Sequence, residues 1–347
     1  MDALRAAWDG QHCKDFAGIS TLIFDCDGVL WNVNDPERDP ERKHSPVELQ
    51  QKVVGRVNEI IREGNKRVLF LTNNSHMTRL GFIHKLASMG ILFGDLEDPA
   101  TKERALASIV TAGFTTAKLL KQKGVKRPFV MTSTAGLLEE LREVGITDFI
   151  TTLDESSKDE KQKKEYLAPF DKEAIDALLP AHKDVDAIVM GWDFHLTAMK
   201  IGLSVNLLRW SMEGAKPIPL VACSSDSSGV LGTTKDGRKI RAVGNGAMGQ
   251  AVAQCFDPPL EQITCGKPSS TLLKLLLDPE EAGGYGVNKD SAVMVGDTIE
   301  TDIVFANEGG LKSLLVLTGV NSLEEMERET DPKRKSTWIL PSFADAK

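Results

Sequence analysis

Short apolar runs alternate along the chain with stretches whose apolar positions recur at helical spacing. TLIFD (21–25), RVLFLT (67–72), RPFVMTS (127–133), DAIVMG (186–191), PLVAC (219–223), SAVMVGD (291–297) and KSLLVLT (312–318) are the clearest runs. Their length and continuity suit strands buried on both faces of a parallel sheet. SPVELQQKVVGRVNEIIREG (45–64) is an amphipathic helical pattern between two of them. Ser45 is placed to cap that helix, Pro46 takes its first position and Gly64 ends it. Strand and helix patterns in alternation predict an α/β fold built on a parallel sheet.

Polar residues gather where the strand runs end. TLIF leads into Asp25-Cys26-Asp27-Gly28, RVLFLT into Asn73-Asn74-Ser75, and SAVMV into Gly296-Asp297. Open parallel sheets bind ligands outside the carboxyl ends of their strands. Residues far apart in the chain are therefore expected to share one site.

Charge and composition narrow the partners. The formal net charge is −8 with no concentrated basic stripe, which argues against nucleic acid. No uncharged apolar stretch approaches the ~18 residues of a membrane helix. The first twenty residues lack the continuous apolar core of a secretory signal. Cys13, Cys26, Cys223, Cys255 and Cys265 are scattered with no CxxC pair, the pattern of reduced thiols in the cytoplasm. SSKDEKQKKEY (156–166) reads as a solvated segment.

The strongest chemical signal is FDCDG (24–28). Chance supplies DxDG in only about 0.06 of chains this long. Two carboxylates at i and i+2 after a buried strand suit a hard divalent cation with phosphate, one carboxylate also serving as nucleophile. Thr72-Asn73-Asn74-Ser75 offers a hydroxyl, amides and backbone N–H groups for an anion. Gly266-Lys267-Pro268 sets a cation beside a turn, and Asp297 and Asp302 follow another strand. Each of the last three alone is equally a set of helix caps or a solvated lysine. GNGAMG (244–249) fits GxGxxG, but the acidic residue a dinucleotide site wants about 20 positions later is missing. Close helix packing explains those glycines better. GKPSS lacks the earlier glycine of a P-loop.

Taken together, the DxD, Thr, Lys and GD-x4-D pieces in this order resemble the haloacid dehalogenase superfamily of phosphohydrolases. FDCDGVLW, LTNNS, IVTAGFTTAKLL, GWDFHLTAMKI, CGKPS, GDTIETDI and GLKSLLVLTGV are similar to the 4-nitrophenylphosphatase and phosphoglycolate phosphatase family, from about residue 20 to the end. The resemblance implies a Rossmann-like core with an inserted α/β cap, and a Mg2+-dependent phosphomonoesterase. It implies Asp25 as the nucleophile and Asp27 as the acid that protonates the leaving oxygen and then activates water. Asp25, the backbone carbonyl of Asp27, and Asp297 would hold Mg2+. Thr72 and the N–H of Asn73 would bind phosphoryl oxygens, with Gly28 and Asn74 beside them. Lys267 would offset negative charge and Asp302 would orient the site. The physics agrees: a phosphate dianion repels a carboxylate nucleophile unless cations intervene.

Roughly 190 residues separate Thr72 from Lys267, more than a core connection needs. The expectation is a discontinuous core, 1–124 and 243–347, with residues 125–242 forming the cap that selects the leaving group. Three places depart from the family. Ala222-Cys223-Ser224-Ser225-Asp226 stands where relatives read ATNPD; Asp226 is thus a candidate substrate contact or an ordinary surface turn. Leu196-Thr197-Ala198-Met199-Lys200-Ile201 lacks the usual tyrosine, and NVNDPERDPERKHS (32–45) is longer and more charged than usual.

The expected substrates are small phosphorylated metabolites, phosphoglycolate-like, and 4-nitrophenyl phosphate. The alternatives are a phosphoprotein phosphatase, a phosphotransferase and a non-catalytic phospho-ligand scaffold. Neither nucleic acid nor membrane is an expected partner; the sequence does not fix the oligomeric state, and pairing of two copies through the cap is what the family resemblance offers.

Overall fold

The continuous apolar runs become strands because each is covered on both faces. In the computed structural model the strands, in chain order, are β1 (Thr21–Phe24), β2 (Arg67–Thr72), β3 (Ile109–Thr111), β4 (Pro128–Met131), β5 (Ile150–Thr151), β6 (Ala187–Met190), β7 (Leu220–Ala222), β8 (Ser228–Thr233), β9 (Lys239–Val243), β10 (Gln262–Thr264), β11 (Ala292–Gly296), β12 (Lys312–Val316) and β13 (Trp338–Leu340). The structure describes Met1 and residues 13–34, 47–153, 166–167, 169–214, 216–236 and 238–346. Ser45, Pro46, most of the charged segment 32–45 and nearly all of 156–166 lie outside the described residues. All seven expected runs are strands: β1, β2, β4, β6, β7, β11 and β12. The expected helix spans Val47–Glu63 and ends at Gly64, whose φ is +66°. No helix among the described residues is long and apolar enough to cross a membrane.

The chain divides into two compact units. The first comprises Met1–Thr72, Arg79–Val110 and Leu272–Lys347. Its six-stranded sheet has the order β13-β12-β11-β1-β2-β3. β1 runs parallel to β2 on one side and to β11 on the other. Phe24 is level with both Phe70 and Val295, so β1, β2 and β11 end side by side. β1 and β11 are buried at every position, as a doubly covered parallel sheet requires. Phe24 meets Phe343 edge to face at 4.7 Å on this sheet.

The second unit comprises Asn73–Thr78 and Thr111–Thr271. Its five-stranded sheet has the order β10-β7-β6-β4-β5, and β8 and β9 form a separate antiparallel hairpin. Helices Lys172–His182, Ala198–Glu213 and Asn245–Ala253 pack their apolar residues into one core with β4, β6 and β7. The positions expected as junctions, 125 and 242, fall inside this unit. β10 lies beyond 242 yet pairs in register with β7, and Met248 and Val252 belong to the shared core. On the other side, the helix Ala112–Gln122 is buried along most of its length. GNGAMG is indeed a packing motif. A Cβ on Gly246 would overlap the backbone of Ser225, and one on Gly249 the side chain of Gln262.

Candidate active site

Asp25 follows the last residue of β1, and its N–H donates to the Val295 carbonyl at 2.8 Å. Asp297 follows the last residue of β11, the strand beside it. The chain then makes one widened helical turn, Ile299–Ile303, in which the Ile303 N–H reaches back five residues to the Thr298 carbonyl. Such turns recur at functional sites because they displace one side chain from the regular helical path. Here that side chain is Asp302, which is fully buried. Its Oδ2 accepts from the backbone N–H groups of both Asp297 and Thr298 at 3.1 Å. Carboxylate oxygens of Asp25, Asp297 and Asp302 all lie within 4.8 Å of one another.

Buried carboxylates this close repel unless positive charge joins them. An all-oxygen donor set suits a hard divalent cation. The strand-end loop after β12 holds the set in place. Asp297 Oδ2 accepts from the Val320 N–H at 2.7 Å, and its Oδ1 from the Thr298 hydroxyl at 3.2 Å. A Cβ on Gly319 would overlap the Asp297 carboxylate. Gly28 is confined on the same side: its φ is +76°, a Cβ there would also strike Asp297, and its carbonyl accepts from the Thr318 hydroxyl at 2.6 Å. That crowding places Gly28 among the residues that shape the carboxylate cluster.

Asp27 is exposed and its carboxylate stands outside this cluster. Its Oδ1 accepts two hydrogen bonds, from Trp31 Nε1 at 2.6 Å and from Asn32 Nδ2 at 3.0 Å. Asn32 holds the left-handed conformation, φ +53°, which asparagine tolerates better than most residues. The Lys85 ammonium sits 3.6 Å from the centroid of the Trp31 ring, a cation–π contact that fixes the indole. No sequence pattern assigns roles to Trp31, Asn32, Lys85 and Val320. Trp31 and Val320 stood inside the motifs FDCDGVLW and GLKSLLVLTGV, but nothing local told which atoms they would meet. Thr72 closes β2 and is 5% exposed.

Asn73, Asn74, Asp226 and Lys267 belong to the second unit. Asn74 serves its own loop: its Oδ1 accepts from the N–H groups of His76 and Met77 at 3.0 Å each. Lys267 is 2% exposed. Its backbone N–H donates to Asn73 Oδ1 at 2.6 Å, and Asn73 Nδ2 donates to Asp226 Oδ1 at 3.1 Å. Just upstream of Asp226 and Lys267 sit Cys223 and Cys265, both fully buried. Burial pushes the Cys223 thiol up to about 11, partly offset by hydrogen bonds from Thr116, Ser75 and Asn245. Burial raises the Cys265 thiol as well. Neither is poised as a thiolate nucleophile.

The family model of haloacid dehalogenase-like hydrolases matches residues 22–147, and one for HAD-like hydrolases matches 264–346. Mouse glycerol-3-phosphate phosphatase is 32% identical over 336 residues, covering 95% of this chain and 89% of the relative. Arabidopsis thaliana chloroplastic phosphoglycolate phosphatase 1A is 27% identical over 329 residues, covering 95% and 75%. Among solved structures, the Mycobacterium tuberculosis glycerol phosphate phosphatase in complex with magnesium superposes with a TM-score of 0.61 at 21% identity, covering 96% of this chain and 77% of that one.

Proposed function

This chain belongs to the haloacid dehalogenase-like hydrolases, and on that premise we propose that it hydrolyses phosphate monoesters of small two- and three-carbon metabolites through an aspartyl-phosphate on Asp25. The carrying observation is the cluster of Asp25, Asp297 and Asp302 at adjacent strand ends. An Asp25 oxygen attacks phosphorus and the ester oxygen leaves with a proton from Asp27. Water then attacks the aspartyl-phosphate, Asp27 takes its proton, and inorganic phosphate departs. One residue serves both halves because the acid of the first step is the base of the second. Asp25, the Asp27 carbonyl and Asp297 would hold Mg2+, which would supply positive charge against the phosphoryl oxygens. Asp302 fixes the backbone entering Asp297 through its two accepted N–H bonds. The motif order supports Thr72, the Asn73 N–H and Lys267 as phosphoryl-binding groups.

The names of the relatives support glycerol 3-phosphate and phosphoglycolate as the substrate class, with 4-nitrophenyl phosphate as a convenient reporter. Free cysteines among the described residues support a cytoplasmic setting. The test is phosphate release with Mg2+ from a panel of these three esters, pyridoxal phosphate and phosphopeptides. Turnover confined to phosphopeptides, or none at all, would overturn the assignment.

Two variants refine it. Asp27→Asn loses about 10²–10⁴-fold, the usual span for a general acid–base. The loss is larger for an alkyl phosphate than for 4-nitrophenyl phosphate, whose leaving group needs little protonation. Equal losses across leaving groups would remove Asp27 from the acid role. Gly319→Ala puts a methyl into the Asp297 carboxylate. Its kcat/KM falls by about 10²-fold, since a misplacement near 1 Å commonly costs that much. An unchanged kcat/KM would show that the loop moves instead of Asp297.

A further inference from the structure

We propose that Asn73 and Asp226 are positioning residues that aim Lys267, and that the departure from the family pattern at Ser224 and Ser225, just before Asp226, serves this cation and not recognition of the leaving group. The inference rests on Lys267 being the cation of the phosphatase site. Asn73, Ser224, Ser225, Asp226, Gly266 and Lys267 all lie within the second unit.

The Asn73 amide binds Lys267 as a second peptide group would. Asn73 Oδ1 accepts from the Lys267 N–H at 2.6 Å, while Asn73 Nδ2 donates to the Lys267 carbonyl at 3.1 Å. Nδ2 has one more hydrogen, and it goes to Asp226 Oδ1 at 3.1 Å. Both amide donors and the amide acceptor are therefore engaged inside the protein. Flipping the amide would set its NH2 against the Lys267 N–H and its oxygen against a carboxylate, so the partners admit one orientation. Asp226 is what locks it.

The surroundings are built for this contact. A Cβ on Gly266 would lie 2.6 Å from Asn73 Oδ1 and 3.0 Å from the Ser224 Cβ, so only glycine lets the strands' ends approach. The Ser225 hydroxyl donates to the Lys267 carbonyl at 3.2 Å, and the Ser224 hydroxyl accepts from the Asp226 N–H at 3.3 Å. Ser224 is fully buried, as is Lys267 apart from 2% of its surface. Residues after β2, β7 and β10 thus converge on the backbone of one lysine. A long flexible side chain has its root fixed on both the N–H and the carbonyl, and less of its freedom remains to be lost in the transition state.

A positioning role and a specificity role give different kinetics. Phosphoryl charge is common to every substrate, whereas leaving groups differ. Asp226→Ala and Asn73→Ala should lower kcat by about 10-fold, as loss of a hydrogen bond to a charged group commonly does. The factor should be equal for 4-nitrophenyl phosphate and glycerol 3-phosphate, with inhibition by inorganic phosphate weakened in parallel. Asp226→Asn keeps an acceptor oxygen toward Asn73 and should restore activity to within about 3-fold of the parent. In a Lys267→Ala background, neither alanine variant should cost anything further. Unequal factors on the two substrates, no rescue by Asp226→Asn, or losses that multiply in the Lys267→Ala background would each overturn the proposal. Lys267→Ala with full activity would instead overturn the assignment of Lys267 as the site's cation. If Asn73→Ala does not fold, the Asp226→Ala and Asp226→Asn pair decides the matter.

Discussion

Asp25→Asn will stop turnover, with a loss of about 10⁴-fold or more, the scale seen when one member of a catalytic unit is removed. The substitution is isosteric and keeps the backbone bond from Asp25 to Val295. It removes only the anionic oxygen that attacks phosphorus. The register of β1 against β2 and β11 is set by buried apolar residues, so the sheet has no reason to move. Acid-quenched wild-type enzyme mixed with substrate should carry a phosphoryl group on Asp25, detectable by peptide mass, and the variant should carry none. A variant with kcat within tenfold of the parent, or a phosphoryl group on another residue, would end the aspartyl-phosphate mechanism.

Removing divalent metal will abolish activity just as completely, and Mg2+ will restore it. Three carboxylates with oxygens inside 4.8 Å, two of them nearly or fully buried, form a strongly negative centre. A phosphate dianion cannot approach it without a compensating cation. Treatment with EDTA followed by a Mg2+ titration measures the requirement. Ca2+ should bind yet support little turnover, because its larger and looser coordination sphere tends to misplace the nucleophile. Asp297→Ala should raise the Mg2+ concentration needed for half-maximal activity steeply, since it deletes a ligand whose place the Val320 N–H and Thr298 hydroxyl maintain. Full activity in EDTA would refute the mechanism outright.

Both predictions draw on residues that were legible in the sequence: Asp25 and Asp297 end continuous apolar runs that had to be buried strands. Such patterns are local. Burial on both faces demands unbroken apolar residues, and a helix demands its repeat, so β1, β2, β11 and the helix Val47–Glu63 could be read within windows of a few residues. β3, β5, β8, β9, β10 and β13 stand outside the seven expected runs; β3, β5, β10 and β13 are only two or three residues long and carry no period. Their pairing comes from neighbours elsewhere in the chain. For the same reason the limits expected at 125 and 242 differ from those of the second compact unit, which runs from Thr111 to Thr271 besides Asn73–Thr78. β10 belongs to it through hydrogen bonds to β7, some forty residues earlier.

The site divides in the same way. Residue types and their order named Asp25, Asp27, Thr72, Lys267, Asp297 and Asp302, since few chemistries need carboxylates, a hydroxyl and a lysine at those places. Roles that depend on a partner's direction did not follow. Asp226 is a candidate substrate contact or a surface turn by its place in the chain; its Oδ1 accepts from Asn73, 153 positions away, and Asn73 Oδ1 accepts from the Lys267 N–H, 194 positions away. Trp31 and Asn32 lie only four and five positions from Asp27, yet both donate to the same oxygen because the turn after β1 curls back on itself. Composition and periodicity by themselves determined which segments are buried and which acids stand at strand ends, because burial is a property of each segment's own residues. Tertiary structure alone decided which donor meets which acceptor. A hydrogen bond requires two groups within about 3 Å and aligned, and no local pattern records where a distant loop will bring its atoms.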